Sequence, residues 1–560
     1  METIVGIDLG TTNSTITAID ENGKTTFIKN KFNEFITPSA VYFEKEKGNV
    51  LVGKEAKEKS SSDPRNLVLF VKREMGKPKN KVRYDRITDE YELYKFWGKT
   101  YSPEEISALI LKQLKEDAEK QLGKKIKKAV ITCPAYFHDA ERNATKAAGE
   151  IAGFEVLEVL PEPIAAALSY AAQNDKEETV LVFDLGGGTF DVTILKTKNS
   201  DDGRKVEMIV TDGDHKLGGK DWDDYIIGYL IGRFNTRFNI DIDYEPKDAR
   251  DIVYGKLRLE VEKAKVELFK SGISSVQIPI EYGGKRHVET ITREMYAQKT
   301  EKLTNQCKTY CENILRDGDL GWNGIDTILM IGNMSNCTTI QDALKNWSGK
   351  KINFGLINPK TSVSEGAAIR GYLLEGGKIV KKLLKTDSQI ADFEQKKEVA
   401  ERIEKQEEEG ERTETEFDNQ KMKSGVLPSS VGIKVLTHSG EETIFKFFEK
   451  NSNYPEEKSQ SFPMARSGDE KFTLQIYEGE SKKVDECNLL GSVVVELDGK
   501  MNRGDKLKIT LQIDANGILQ VKAENQNLGI KVESKISRET DIPEEEIKKS
   551  AEEIEEFYLG

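Results

Sequence analysis

Ile4-Val5-Gly6-Ile7-Asp8-Leu9-Gly10-Thr11-Thr12-Asn13-Ser14 opens the chain, and Leu181-Val182-Phe183-Asp184-Leu185-Gly186-Gly187-Gly188-Thr189-Phe190-Asp191 restates it. Each is an apolar run, then Asp-Leu-Gly, then Gly and Thr. A second apolar run follows, Thr15–Ile19 in one case and Val192–Leu195 in the other. Apolar alternation on both sides of a Gly/Thr turn predicts strand, tight turn, strand. The P-loop and dinucleotide fingerprints differ, because their glycine loops lead into a helix. The turn offers bare backbone N–H groups and small hydroxyls, which suit phosphate oxygens. The Asp that ends each first strand supplies a hard oxygen for Mg²⁺, through water. One such turn alone is an ordinary hairpin. Two in the same order predict a clamp that closes on a nucleotide from both sides.

Composition narrows the classes. At 560 residues the chain exceeds a single core, and two to four domains are expected. Hydrophobic residues at 37% and charged residues at 32% fit a soluble globular protein. A net charge of −13 argues against general nucleic-acid or anionic-membrane binding, since both partners are polyanions. Met1-Glu2-Thr3 lacks the start of a signal peptide and no apolar run reaches bilayer length, so a cytoplasmic location is expected. Five cysteines in so long a chain make no disulfide framework. Cys307 and Cys311 would share a helix face, but no His or Cys pair completes a metal site.

From Met1 to about Lys385, β runs alternate with amphipathic helices. Ser102-Pro103-Glu104-Glu105 starts a helix with Ser as cap, Pro in the first turn and Glu three residues on. Its apolar stripe is Ile106, Leu109, Leu114 and Leu122. Further helices are expected after Ala135-Tyr136-Phe137, after Pro161-Glu162-Pro163, and over Val253–Phe269. Ile328-Leu329-Met330-Ile331 reads as a buried strand ending at Gly332-Asn333. Thr386 to about Lys423 differs sharply: its segment Glu394–Glu416 is crowded with Glu, Lys and Arg, a solvated helix or disordered linker. Beyond it, Val431–Leu436, Glu442–Glu449, Phe472–Glu478, Leu490–Leu497, Lys506–Asp514 and Ile518–Glu524 read as short strands, predicting an antiparallel β-sandwich. Asp541-Ile542-Pro543-Glu544 starts one acidic helix of roughly 17 residues, about 25 Å long, running to Gly560. The expected division is 1–385, 386–425, 426–540 and 541–560.

The paired hairpins, Thr132-Cys133-Pro134-Ala135-Tyr136-Phe137, Pro161-Glu162-Pro163-Ile164-Ala165-Ala166-Ala167 and Leu217-Gly218-Gly219-Lys220-Asp221 resemble the DnaK-type heat-shock chaperone family. The resemblance is close over 1–385 and looser over 426–540. It implies an α/β, actin-like, two-lobed ATPase, a linker, and a β-sandwich that binds extended hydrophobic peptides. In that family ATP opens the peptide site and hydrolysis to ADP closes it.

Phosphoryl transfer to water needs charge neutralisation and a placed nucleophile. Gly10, Thr11, Thr12, Gly186, Gly187, Gly188 and Thr189 are the expected phosphate cradle, with Asp8 and Asp184 holding hydrated Mg²⁺. By the resemblance, Lys72 orients the attacking water and stabilises γ-phosphate charge. Glu162 and Asp191 are the remaining carboxylates, and Thr189 lies near the γ-phosphate. Gly218, Glu262, Lys265, Gly332 and Asn333 complete the nucleotide-binding set, and Pro134 and Arg142 resemble a relay that senses the nucleotide. The expected cofactors are ATP/ADP and Mg²⁺.

Some positions depart from the family pattern. Gly332-Asn333-Met334-Ser335-Asn336 replaces a motif whose arginine stacks on adenine, so Asn336 takes the place of a guanidinium platform. Val266 and Phe269 stand where polar or basic residues are frequent, and Phe269 is a less favoured substitute for stacking on the base. Ile379-Val380-Lys381-Lys382-Leu383-Leu384-Lys385 resembles the family linker, but is more basic. Glu158 stands where Arg often contacts a J-domain partner, so the surface that seeks an acidic partner is expected to be altered there. In the sandwich, Leu436, Phe472 and Leu474 are the expected peptide pocket, with Phe472 filling its base. The family's helical lid is expected to be missing, so bound peptide leaves quickly.

The expected function is an ATP-dependent chaperone with fast peptide exchange. Its partners are unfolded polypeptide clients, a J-domain co-chaperone and a nucleotide-exchange factor, with no nucleic acid and no membrane. The alternative is a nucleotide-bound co-chaperone or scaffold with little turnover. A sugar or metabolite kinase shares the hairpins but not the appended sandwich.

Overall fold

The computed structural model describes residues 2–60, 64–85, 90–200, 203–352, 356–376, 380–382, 412–414, 425–437, 440–535 and 542–559. Two sheets carry the two hairpins. In lobe I, strands Glu155–Pro161, Lys128–Cys133, Ile4–Asp8, Asn13–Ile19 and Thr25–Phe27 lie in that order. In lobe II the order is Gly203–Asp214, Phe190–Ser200, Glu178–Leu185 and Thr327–Ile331. Each sheet grows from its Asp-Leu-Gly hairpin in the same way. The first hairpin strand also pairs parallel with a strand from much later in the chain, Ile4–Asp8 with Lys128–Cys133 and Glu178–Leu185 with Thr327–Ile331. The repeat seen in the sequence is thus a repeat in topology.

Helices Glu162–Ala171 and Ser362–Leu374 fill the space between the two sheets. Their small residues allow close approach. A Cβ on Gly366 would fall 1.7 Å from the Ala165 carbonyl oxygen, so no larger residue fits there. Ile4, Val130 and Leu160 of lobe I share this core with Val180, Val182 and Leu329 of lobe II. Burying each large aliphatic side chain contributes about 1.5–3 kcal/mol, and this shared apolar packing joins the two sheets. The helix Pro103–Leu122 starts as its sequence demands. The Ser102 hydroxyl accepts from Glu105 N at 3.2 Å, and Ser102 N donates to Glu105 Oε2 at 2.8 Å. Cys307 and Cys311 are fully buried in helix Arg293–Asp317, as packing residues of lobe II.

The C-terminal strands form two facing four-stranded sheets. One runs Glu442–Phe448, Val431–Leu436, Lys471–Glu478, Asn488–Glu496, and the other Glu456–Pro463, Lys506–Ile513, Leu519–Asn525, Ile530–Lys535. Glu456–Pro463 and Ile530–Lys535 were not expected from sequence. Both are edge strands, and the polar run Glu456-Glu457-Lys458-Ser459-Gln460-Ser461 has no apolar alternation to announce itself. Val380–Lys382 pairs antiparallel with Arg412–Glu414. The rest of the charged 386–425 insertion, apart from Gly425, and the other linker residues lie outside the described residues.

The final segment departs from expectation. Its helix spans Glu544–Glu555, and Tyr558–Leu559 then pairs parallel with Asn49–Val50 of lobe I. It packs on lobe I, not over the sandwich. Ile554 and Phe557 join the lobe I core, with Phe557 edge-on to Trp97 at 5.7 Å and to Tyr101 at 6.5 Å. The Lys112 ammonium donates to the carbonyls of Ile554, Glu555 and Phe557 at 2.8–3.1 Å, a cation at a helix C-terminus. No helix among the described residues is long and apolar enough to cross a membrane.

Candidate active site

The two hairpins face each other across a cleft of about 560 Å³, its mouth included. Asp8, Gly10, Thr11, Thr12, Lys72, Glu162, Asp184, Gly186, Gly187, Thr189, Gly332 and Asn333 line it, all expected from sequence. The glycines are needed because backbone meets side chain across the lobes. A Cβ on Gly187 would lie 2.2 Å from Thr12, and one on Gly188 would lie 2.2 Å from Thr11. Gly10 sits in a turn so tight that its Cβ would be 2.0 Å from the Asn13 carbonyl oxygen.

At the floor, Lys72 Nζ donates to Glu162 Oε1 at 2.5 Å, with the two side chains only 3% and 9% exposed. Burial alone would lower the Lys72 pKa, but Glu162 and Asp8 together hold it above its ordinary value. Four carboxylates crowd this one ammonium. Burial, and next the charge of Glu162, push Asp8 up to about 7. The same two causes push Asp191 to about 7, against a 3.0 Å hydrogen bond from Tyr136 N. Asp184 is raised well above the carboxylate range by burial, then by Glu162 and Asp191. Such a concentration of unwanted negative charge calls for a cation. The buried Thr15 hydroxyl, which also lines the cleft, has no hydrogen-bond partner among the described residues. Tight glycine turns, small hydroxyls and crowded carboxylates together fit a phosphate chain with a hydrated Mg²⁺.

The model of the family described as Hsp70 protein matches residues 4–418 and 414–559. The chain belongs to the Hsp70 family. Hsp70 proteins are ATP-dependent chaperones that bind ATP or ADP with Mg²⁺, hydrolyse ATP, and engage unfolded clients and co-chaperones. The family implies a two-lobed actin-like ATPase followed by a β-sandwich, and the chain is correspondingly a mixed α/β protein with several sheets.

Other residues expected at this Hsp70 site sit around it and do not line it. Gly218 lies behind the second hairpin, where a Cβ would be 2.4 Å from the Gly188 backbone. Glu262 receives the Lys57 ammonium at 2.7 Å, a bridge from lobe II to lobe I. Lys265 is held by Asp223 at 2.7 Å and by the Gly219 carbonyl at 3.2 Å. Asn336 is exposed and donates to the Asn333 carbonyl, while Asn333 reaches Thr12 of the opposite lobe at 3.4 Å. Phe269 packs edge-on to the buried Tyr296 at 5.1 Å and is half-buried against the lobe II core.

Pro134 and Arg142, the residues expected to act as a relay, lie between the cleft and the sandwich. Pro134 opens the turn that follows strand Lys128–Cys133, and Tyr136 N in that turn is the donor to Asp191. Arg142, 2% exposed, clamps the same turn through the carbonyls of Phe137 at 2.9 Å and Ala135 at 3.3 Å. Its guanidinium lies 5.4 Å from the ring of Tyr454 in the sandwich. Around it, Val159 N donates to Asn516 Oδ1 at 2.9 Å, Leu519 N to Asp139 Oδ1 at 3.3 Å, and His138 meets Glu478 at 2.9 Å. The Asn516 contact is made by the Asp514–Gly517 turn, whose Gly517 has φ +76°. Lobe II contributes Thr211 N to Asn451 Oδ1 at 3.4 Å, and Asp212 facing Lys450 at 3.7 Å.

Two further expectations are corrected. Glu158 is not a surface residue: it is 2% exposed and ion-paired with the equally buried Arg370 at 2.6 Å. Leu436, Phe472 and Leu474 do not form one pocket. Leu474 is in the sandwich core and Phe472 packs against it, whereas Leu436 is 57% exposed, on the strand face opposite Val435. Sequence reasoning also missed Arg73. Its guanidinium donates to the Gly188 carbonyl at 2.7 Å and forks onto Asp221, tying the Lys72 turn to lobe II. Adjacency to Lys72 was its only signal. Lys57 gave none.

Proposed function

We propose that the chain is an ATP-driven chaperone in which hydrolysis to ADP in the cleft changes the grip of the sandwich on extended hydrophobic segments. The reading rests on the Lys72–Glu162 pair buried among Asp8, Asp184 and Asp191, between two phosphate-shaped hairpins. Asp8 and Asp184 would hold Mg²⁺, which when bound neutralises charge on the phosphates. Gly10–Thr12 and Gly186–Thr189 would orient the triphosphate through backbone amides and hydroxyls. Lys72, kept charged by Glu162 and Asp8, would stabilise charge on the γ-phosphate and orient the attacking water. Asp191, beside Glu162 and held by Tyr136 N, would take a proton from that water.

Asp191 is also the acceptor for Tyr136 N, so a change in its charge is felt by the turn that Arg142 clamps. Arg142 faces the sandwich through Tyr454, and this short chain supports coupling of the two halves. The alternative of a scaffold with little turnover has one observation in its favour, the failure of Leu436, Phe472 and Leu474 to converge. A labelled-peptide release assay with ATP, with ADP and without nucleotide separates them. A release rate that depends on nucleotide is the expected result. Release that ignores nucleotide, with no hydrolysis in a single-turnover assay, favours the scaffold.

A further inference from the structure

We infer that Phe70 is a positioning residue: its ring latches lobe II onto the turn that carries Lys72 and in doing so offsets the left-handed strain of that turn, which keeps the catalytic ammonium in place. The inference rests on the ATPase reading above. Phe70 precedes the short turn Val71–Glu74 and has φ 59° and ψ 25°. A bulky L-residue holds this left-handed conformation only where surrounding contacts compensate the strain. Here the contacts come from the other lobe. The Lys220 ammonium lies 5.7 Å from the Phe70 ring centroid and the Arg258 guanidinium 5.6 Å. Both cations are positioned by Asp224, to which Lys220 donates and Arg258 donates at 2.9 Å. Lys220 is partly buried, and burial and then Arg258 lower its pKa.

The mechanics follow from what moves together. Lys220, Asp221 and Asp224 lie in the first turns of helix Gly219–Phe238, and Gly218 just before it packs on the backbone of Gly188. Helix start and phosphate hairpin are therefore one rigid unit of lobe II. When that unit meets lobe I, it engages Phe70 through two cations and Arg73 through Asp221 and the Gly188 carbonyl. Lys72 lies between these two anchored residues, and Arg73 N donates to the Phe70 carbonyl at 3.0 Å to close the turn. With the latch gone, nothing offsets the left-handed strain, and the turn relaxes with Lys72 on it.

Three variants of the full chain test this: Phe70→Tyr, Phe70→Leu and Phe70→Gly. The readouts are stopped-flow release of fluorescent ADP and single-turnover hydrolysis of ATP, with a melting curve as a folding control. Phe70→Tyr keeps a π-face and is expected to match the wild type in both assays. Phe70→Leu and Phe70→Gly both lose the latch, and ADP release is expected to quicken about tenfold in each, equivalent to about 1.4 kcal/mol. Only Phe70→Leu keeps a left-handed strain with no compensation. Its hydrolysis is expected to fall about tenfold, while Phe70→Gly, free to adopt that conformation, stays within about twofold of the wild type. Unchanged release in Leu and Gly overturns the proposal, as does an equal loss of hydrolysis in both, or a Tyr variant as impaired as Leu. If the wild type itself fails to hydrolyse ATP, the ATPase reading falls, and the release measurements still decide the latch.

Discussion

Replacing Asp8 by Asn tests the electrostatics of the cleft most directly. In the folded chain Asp8 is raised from 3.8 to about 7, and Asp191 likewise, so between those values the folded state holds protons that the unfolded chain gives up. Stability therefore falls as pH rises through that window. From pH 6 to pH 8 a carboxyl with a folded pKa of 7 loses about 1.4 kcal/mol of stability, and two lose nearly 3 kcal/mol. Glu104, also raised to about 7 mainly by burial, adds to the slope of the wild type. The informative quantity is thus the difference between the wild type and Asp8→Asn. The amide has nearly the same shape and does not titrate, and it should remove about 1.4 kcal/mol from the decline. Calorimetry of the ATPase transition at pH 6 and pH 8, without Mg²⁺ or nucleotide, measures it. A wild-type transition that is equally stable or more stable at pH 8, or a variant with the same slope as the wild type, refutes the reasoning. Saturating Mg²⁺ and ADP should flatten the wild-type curve as well, because a dication in the site favours the ionised carboxylates.

Three other outcomes are expected. Gly187→Ala places a Cβ 2.2 Å from Thr12, holds the hairpins apart, and should weaken ATP binding at least tenfold by titration calorimetry, since tight backbone approach is lost. Tyr454→Ala removes the ring facing Arg142, and should cut the nucleotide response of peptide release about tenfold; an unaltered response would remove Arg142–Tyr454 from the coupling path. Phe557→Ala empties the contact with Trp97 and Tyr101, and should weaken docking of the C-terminal segment by about 3 kcal/mol. Hydrogen exchange over residues 544–559 reports it, with faster exchange as the expected result.

The readings that survived from the sequence are local ones. Each Asp-Leu-Gly hairpin lies within a few residues, so apolar alternation and glycine placement encode its shape before any tertiary contact forms. The capping box at Ser102–Glu105 spans three residues for the same reason. The base side of the cleft was harder to read. Phe269 packs against the core because Tyr296 offers it an edge-on partner, and Tyr296 comes from a different helix. Glu158 looked like a surface residue because nothing in its own strand shows Arg370 waiting beside it. The peptide pocket failed for a related reason: strand periodicity places Leu436 and Val435 on opposite faces, and a motif alignment ignores that parity.

By itself the sequence determined the two strand–turn–strand hairpins, the helix starts and the presence of an all-β unit, because short-range periodicity and backbone sterics specify each of these. Only the tertiary structure decided which surfaces meet: Lys57 with Glu262 205 positions away, Arg142 with Tyr454, the tail with Asn49–Val50, and Phe70 with two cations of the opposite lobe. Those pairings arise from complementary shape and charge brought together by folding, and a lone lysine or phenylalanine carries no short-range pattern that names its distant partner.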